Sequence, residues 1–183
     1  MIYLIPLHYT GLVVGLLLIV GHALALVRQG PVQGWVRTFP RSRPAATALL
    51  AVAAVWAFLL VRSIDLGEFS GLRTIMLVAI AVGAVLSWIY VPEFLAVRAL
   101  GMLLLLAAEP LLESAVLRTE PTRLLLVIVA YAWVIAGLFF VGMPYVLRDA
   151  IDWVVAQPVR WKVACIGGLV WGFAILGCAI FLW

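Results

Sequence analysis

The feature that most narrows the fold is the absence of formal charge over long stretches of chain. Met1 to Val27, Leu124 to Leu147 and Val163 to Trp183 contain no Lys, Arg, Asp or Glu. About 20 apolar helical residues cross a bilayer core, and lipid offers no partner to an unpaired backbone group, so stretches of this kind cross membranes as helices. With 67% of its residues hydrophobic, the sequence predicts an all-α, polytopic transmembrane helix bundle and excludes a water-soluble globule.

Six spans are expected, over residues 4–27, 45–61, 74–90, 94–116, 124–147 and 163–183. The connections are short, so residues 1–183 read as a single integral membrane domain. Gly30, Pro31, Pro40 and Pro44 mark residues 28–44 as a connection. Pro144 is placed to kink the last turn of the fifth span. Ile151, Trp153, Val154 and Val155, set against Asp149 and Asp152, suit a short interfacial helix over 148–157. The first span lacks a basic leading region and is longer than the roughly 7–15 apolar residues of a cleavable signal, so it is expected to stay. Cys165 and Cys178 share the last span and lie about 20 Å apart along it, too far for a disulfide between them.

Basic residues give the orientation. Alternating spans put Arg28, Arg37, Arg41, Arg43, Arg98, Arg148, Arg160 and Lys162 on one side, against Arg62, Arg73, Arg118 and Arg123 on the other. The richer side is expected to face the cytoplasm of a bacterial-type inner membrane, with both termini outside. Trp88, Tyr90, Tyr145, Trp153 and Trp161 gather at the same interface as an aromatic belt. The net charge of +4 is thereby accounted for by topology, and nucleic-acid binding is not expected. A faint echo of Arg62, Ile64, Asp65 and Arg73 in Arg148, Ile151, Asp152 and Arg160 raises an inverted repeat of three spans per half.

The first span carries the sharpest constellation. His8, Gly11, Gly15, Leu18 and His22 recur at spacings of 3, 4, 3 and 4, one stripe of a helix. The histidines lie about 21 Å apart along the axis, one toward each leaflet. This pattern resembles a helix of the membrane b-type cytochromes, in which imidazoles ligate haem and small residues admit the macrocycle. The resemblance implies haem or a chlorophyll-type pigment at His8 and His22, with Gly11 and Gly15 beside it. Because these are the only two histidines, two six-coordinate haems would need further ligands, from Met76, Met102 or another subunit. The alternative is a G-x-x-x-G packing face with the histidines hydrogen-bonded to neighbouring helices.

Glu109 and Arg98 are the intramembrane polar candidates. Glu109 interrupts the apolar run from Leu103 to Leu112, where a carboxylate is costly. Pro110 suggests that this span is already ending, which would put Glu109 and Glu113 at the interface. The expected topology sets Glu109 at about the depth of His8, within reach of a hydrogen bond useful for proton handling. Arg98 approaches the depth of His22 and can snorkel to the interface. On the last span, Ala164, Gly168 and Gly172 form a small-residue ridge for another helix. No catalytic motif, metal-ligand spacing or nucleotide fingerprint is present. Three readings follow: a non-catalytic subunit or scaffold of a larger assembly, joined to other membrane subunits or to copies of itself; a tetrapyrrole-binding subunit; or a small transporter using Glu109 and Arg98. An enzyme is not expected.

Overall fold

The computed structural model describes Tyr3 and residues 5–183. Among them it holds helices α1 (Leu7–Val27), α2 (Gln29–Thr38), α3 (Arg43–Ser63), α4 (Arg73–Tyr90), α5 (Leu95–Ala115), α6 (Leu124–Gly142), α7 (Tyr145–Val155) and α8 (Pro158–Phe181), and no strand. Six of them are long and apolar enough to cross a membrane, α4 being extended by a 3-10 turn from Gly67. This is the expected all-α bundle.

Local chemistry explains most of the boundaries. Ser42 caps α3, its hydroxyl oxygen accepting the Ala45 N–H at 3.4 Å, and Pro44 follows in the first turn, where no N–H is needed. Pro158 opens α8 in the same way. The fifth span differs from its expected range: α6 stops at Gly142, five residues short of 147. Pro144 does not kink it but stands outside, heading α7, because proline lacks the N–H that would continue the ladder. Accordingly α7 begins at Tyr145, ahead of the expected 148. Residues 28–44, expected as a connection, contain α2. Gly30 and Pro31 fall in its first turn, where they are tolerated, and Val32 and Val36 pack beside Ala25, Trp161 and Cys165. Nor does Pro110 end its span, for α5 runs on to Ala115. Buried Leu111, Ser114 and Ala115 grip the turn after the proline and hold it helical.

The helices meet in a definite order. Helices α1, α5, α6 and α8 surround one core, built from Leu7, Val14, Leu111, Leu126, Val129 and Ile175. The closest pairs in it are α1 with α8 and α5 with α6. Helix α3 packs on the outer side of α5, and α4 packs on α3. Helix α4 has no buried residue. At the end of the bundle richer in arginine, α2 and α7 touch each other and cover the feet of α1 and α8 through Val32, Val36, Val154 and Val155. An inverted repeat would ask α1 and α3 to pack as α5 and α6 do; that pair makes no comparable contact.

This order of crossings is testable. In a chain with Cys165 and Cys178 replaced by Ala, single cysteines at Arg37 and Asp149 are expected to label from one side of the membrane and those at Arg62 and Arg118 from the other. Labelling of positions 37 and 62 from the same side would remove α3 as a crossing.

Candidate functional site

The histidine stripe of α1 faces α8 along its whole length. A hypothetical Cβ on Gly15 would sit 3.0 Å from the Leu176 backbone nitrogen and 3.1 Å from the Gly172 carbonyl oxygen, and one on Gly172 would sit 3.1 Å from the Gly15 carbonyl oxygen. The two backbones therefore touch. Gly11 faces Ala179 and the indole of Trp183, and a side chain on Gly168 would overlap the His22 imidazole. Gly11, Gly15, Gly168 and Gly172 are thus brought together, whereas Ala164 is exposed off the contact. The pairing runs antiparallel from His8 with Ala179 to Ala25, whose carbonyl accepts the Trp161 Nε1–H at 3.1 Å.

Both imidazoles bond to backbone. His8 Nδ1 lies 2.7 Å from the Ala179 carbonyl oxygen, and His22 Nδ1 lies 2.7 Å from that of Leu18. A carbonyl can only accept, so each Nδ1 carries the hydrogen and Nε2 is the basic nitrogen of the neutral ring. At His22 that nitrogen abuts Gly168. The face that a macrocycle would share with Gly11 and Gly15 is occupied by α8.

Glu109 is not brought to His8. Buried Thr10 and Ser114 lock α1 to α5, Thr10 donating to the Ser114 hydroxyl at 2.9 Å and Ser114 to the Leu111 carbonyl at 2.8 Å. With Thr10 opposite Ser114 in antiparallel helices, Glu109 comes level with Gly15, roughly 10 Å deeper than His8. The expected shared depth is thereby corrected: the α1–α5 register, not distance from the span ends, sets it. Glu109 instead lines a cleft of about 460 Å³ with Leu105, Ala108, Leu112, Glu113 and Val134. Glu113 Oε2 accepts the Tyr3 N–H at 3.0 Å.

Arg98 turns to a helix end. Its Nη1 donates to the Val141 carbonyl at 2.7 Å, one of the carbonyls left without a partner in the last turn of α6. Arg123 does the same for Ala115 at the end of α5, and Arg73 for Ile64 beyond α3, both at 2.7 Å.

One contact was missed by reading spans singly. On α5 and α6, a Cβ at Gly101 would sit 2.8 Å from the Gly137 carbonyl oxygen, and one at Gly137 would sit 2.9 Å from that of Gly101. The signal was present: Gly101 and Gly137 lie equally far from Thr119, the centre of the loop joining the two helices. Antiparallel neighbours joined by a tight loop must oppose such positions.

Replacing Gly15 or Gly168 by Leu is expected to lower stability in denaturant titrations of the detergent-solubilised chain by about 1–3 kcal/mol, the usual range for overpacking. Gly21→Leu should be neutral, since nothing lies within 4 Å of a Cβ there. Equal effects at all three sites would remove the special role of the α1–α8 contact.

Comparison with known protein families, curated proteins and solved structures finds no match to this chain.

Proposed function

We propose that the chain is a non-catalytic subunit or scaffold of a larger membrane assembly in a bacterial-type inner membrane, with both termini outside the cytoplasm. The orientation rests on the distribution of arginine. The assembly role rests on a small-residue stripe that the bundle itself does not use. Gly11, Gly15, Gly168 and Gly172 are all taken up by the α1–α8 contact. On the opposite side of α8, Gly167, Ala174 and Gly177 follow at 7 and 3 residues, with exposed Val170 between the first two, and a Cβ on either glycine would meet nothing within 4 Å. In hydrocarbon a flat, small-residue strip gains nothing from lipid but lets another helix approach closely. Helix α8 therefore carries two packing faces, one turned to α1 and one turned outward.

Native-bilayer particles cut out with an amphipathic polymer would test this. The wild-type chain is expected to migrate well above its own 20.0 kDa contribution, and Gly167→Phe or Ala174→Phe to weaken that association about tenfold or more while leaving the fold intact. A lone wild-type monomer in such particles would sink the reading.

The tetrapyrrole reading is favoured by one observation at His8, whose Nδ1–H is held by the Ala179 carbonyl, the arrangement that leaves Nε2 for a metal; the His22 Nε2 is instead packed against Gly168. It ranks second because α8 fills the glycine face. The transport reading keeps only the Glu109 cleft. Chain purified from its native membrane is expected to be colourless; a Soret or chlorophyll band lost in His8→Ala or His22→Ala would reverse that ranking.

A further inference from the structure

Two neighbouring pockets on the α3, α4 and α5 side of the bundle differ in chemistry, one an apolar slot and the other a charged head. The slot, about 460 Å³, is lined by Ala53, Ala54 and Ala57 of α3, Gly83 and Ala84 of α4, and Met102 of α5. The short side chains of α3 and α4 leave a lane, walled on the α5 side by Met102, Leu105 and Leu106, that no helix of the bundle fills. A Cβ on Gly83 would meet nothing within 4 Å. Toward the arginine-rich end, where α3 begins and α4 passes into α5, a separate pocket of about 340 Å³ is lined by Arg41, Arg43, Pro92, Glu93 and Phe94 and shares no lining residue with the slot. From Arg43 to Leu50, and from Leu95 to Met102, is seven residues, so head and slot lie about 10 Å apart. Trp88 donates to the Thr47 hydroxyl at 3.1 Å between them, an indole at the level where a bilayer interface belongs.

The head is organised around Phe94. Its φ of 54° is left-handed, a costly conformation for a side chain of this bulk. It turns the chain from α4 into α5, with the Phe94 carbonyl accepting the first N–H groups of α5, from Val97 and Arg98. The guanidinium carbons of Arg41 and Arg148 lie 6.0 and 5.8 Å from the ring centroid. Arg148 is paired with Asp149 at 2.7 Å. Arg41 and Arg43 form no ion pair among the described residues, and Glu93, though it lines the same pocket, approaches neither within 4 Å. Two exposed guanidiniums against one carboxylate leave the head positive.

We infer that the two pockets together bind one anionic glycerophospholipid, its phosphate held by Arg41 and Arg43 over Phe94 and one acyl chain passing over the Trp88–Thr47 contact into the slot between α3, α4 and α5. The two halves demand different chemistry of one molecule, an anion and a long apolar tail about 10 Å below it. A phospholipid in the arginine-rich leaflet supplies both. Filling the slot also gives α4, which has no buried residue of its own, a surface to pack on besides α3.

Native mass spectrometry of the chain loaded from mixed micelles of phosphatidylglycerol and phosphatidylcholine is the test. The wild type should retain phosphatidylglycerol over phosphatidylcholine by about tenfold or more. Arg41→Gln with Arg43→Gln should abolish that preference, whereas Arg62→Gln with Arg118→Gln, an equal charge loss at the other end of the bundle, should leave it. Gly83→Leu should lower retention of the lipid by filling the slot. No preference in the wild type, or equal effects of the two arginine pairs, would overturn the site. So would retention unchanged by Gly83→Leu, or displacement of the lipid by millimolar inorganic phosphate, which would make the head a free-anion pocket without a tail.

Discussion

Gly15 and Gly172 bring the backbones of α1 and α8 into contact, and the placement of the other elements follows from that approach. Lipid tails are as apolar as leucine, so no hydrophobic force draws helices together within the bilayer, and close van der Waals fit must do so instead. Glycine is the means, because each side chain withheld shortens the distance between helix axes. Once α1 and α8 are in contact, the His22 ring lies on Gly168, Trp161 reaches the end of α1, and Val32 and Val154 close over the base. The second pair, α5 with α6, uses the same device at Gly101 and Gly137. Polar ties then fix one pair to the other. The Thr10–Ser114 hydrogen bond adds only about 0.6 kcal/mol by the average for such bonds in bilayers, but it sets the register between the pairs.

Helix ends pose the complementary difficulty. Their last carbonyls have no intrahelical partner, and wherever such an end lies within the hydrocarbon no water can supply one. Arg73, Arg98 and Arg123 each reach back to the end of a preceding or neighbouring helix, and Arg160 does so for Trp153 at 3.2 Å near the end of α7. Cationic groups at helix C-termini also meet the negative end of the helix dipole. These arginines therefore hold the corners of the bundle.

The spans were legible because length and absence of charge are local properties, readable without knowing any neighbour. The glycine faces of α1 and α8 were legible too, but not that they meet each other: the first and last helices are not hairpin partners, and nothing local relates Gly15 to Gly172. Helix α2 was hidden by Gly30, Pro31 and Gly34, which spell a linker until Val32 and Val36 find Ala25 and Trp161. Glu109 was placed too shallow because depth was measured from span ends, when the register is set by two hydroxyls, Thr10 and Ser114, that carry no charge to attract notice. The Phe94 head could not be read at all. It needs Arg41, Arg43 and Arg148, far apart in sequence, to converge on a turn whose backbone conformation no composition announces.

Helices α2 and α7 are 10 and 11 residues long, too short to cross, and both lie at the same end of the bundle. At the opposite end the links between spans are compact turns, Gly67–Leu72 and Pro121–Arg123. The two ends of the bundle are therefore closed differently: α2 and α7 form a helical floor under α1 and α8, whereas turns alone join the spans at the other end.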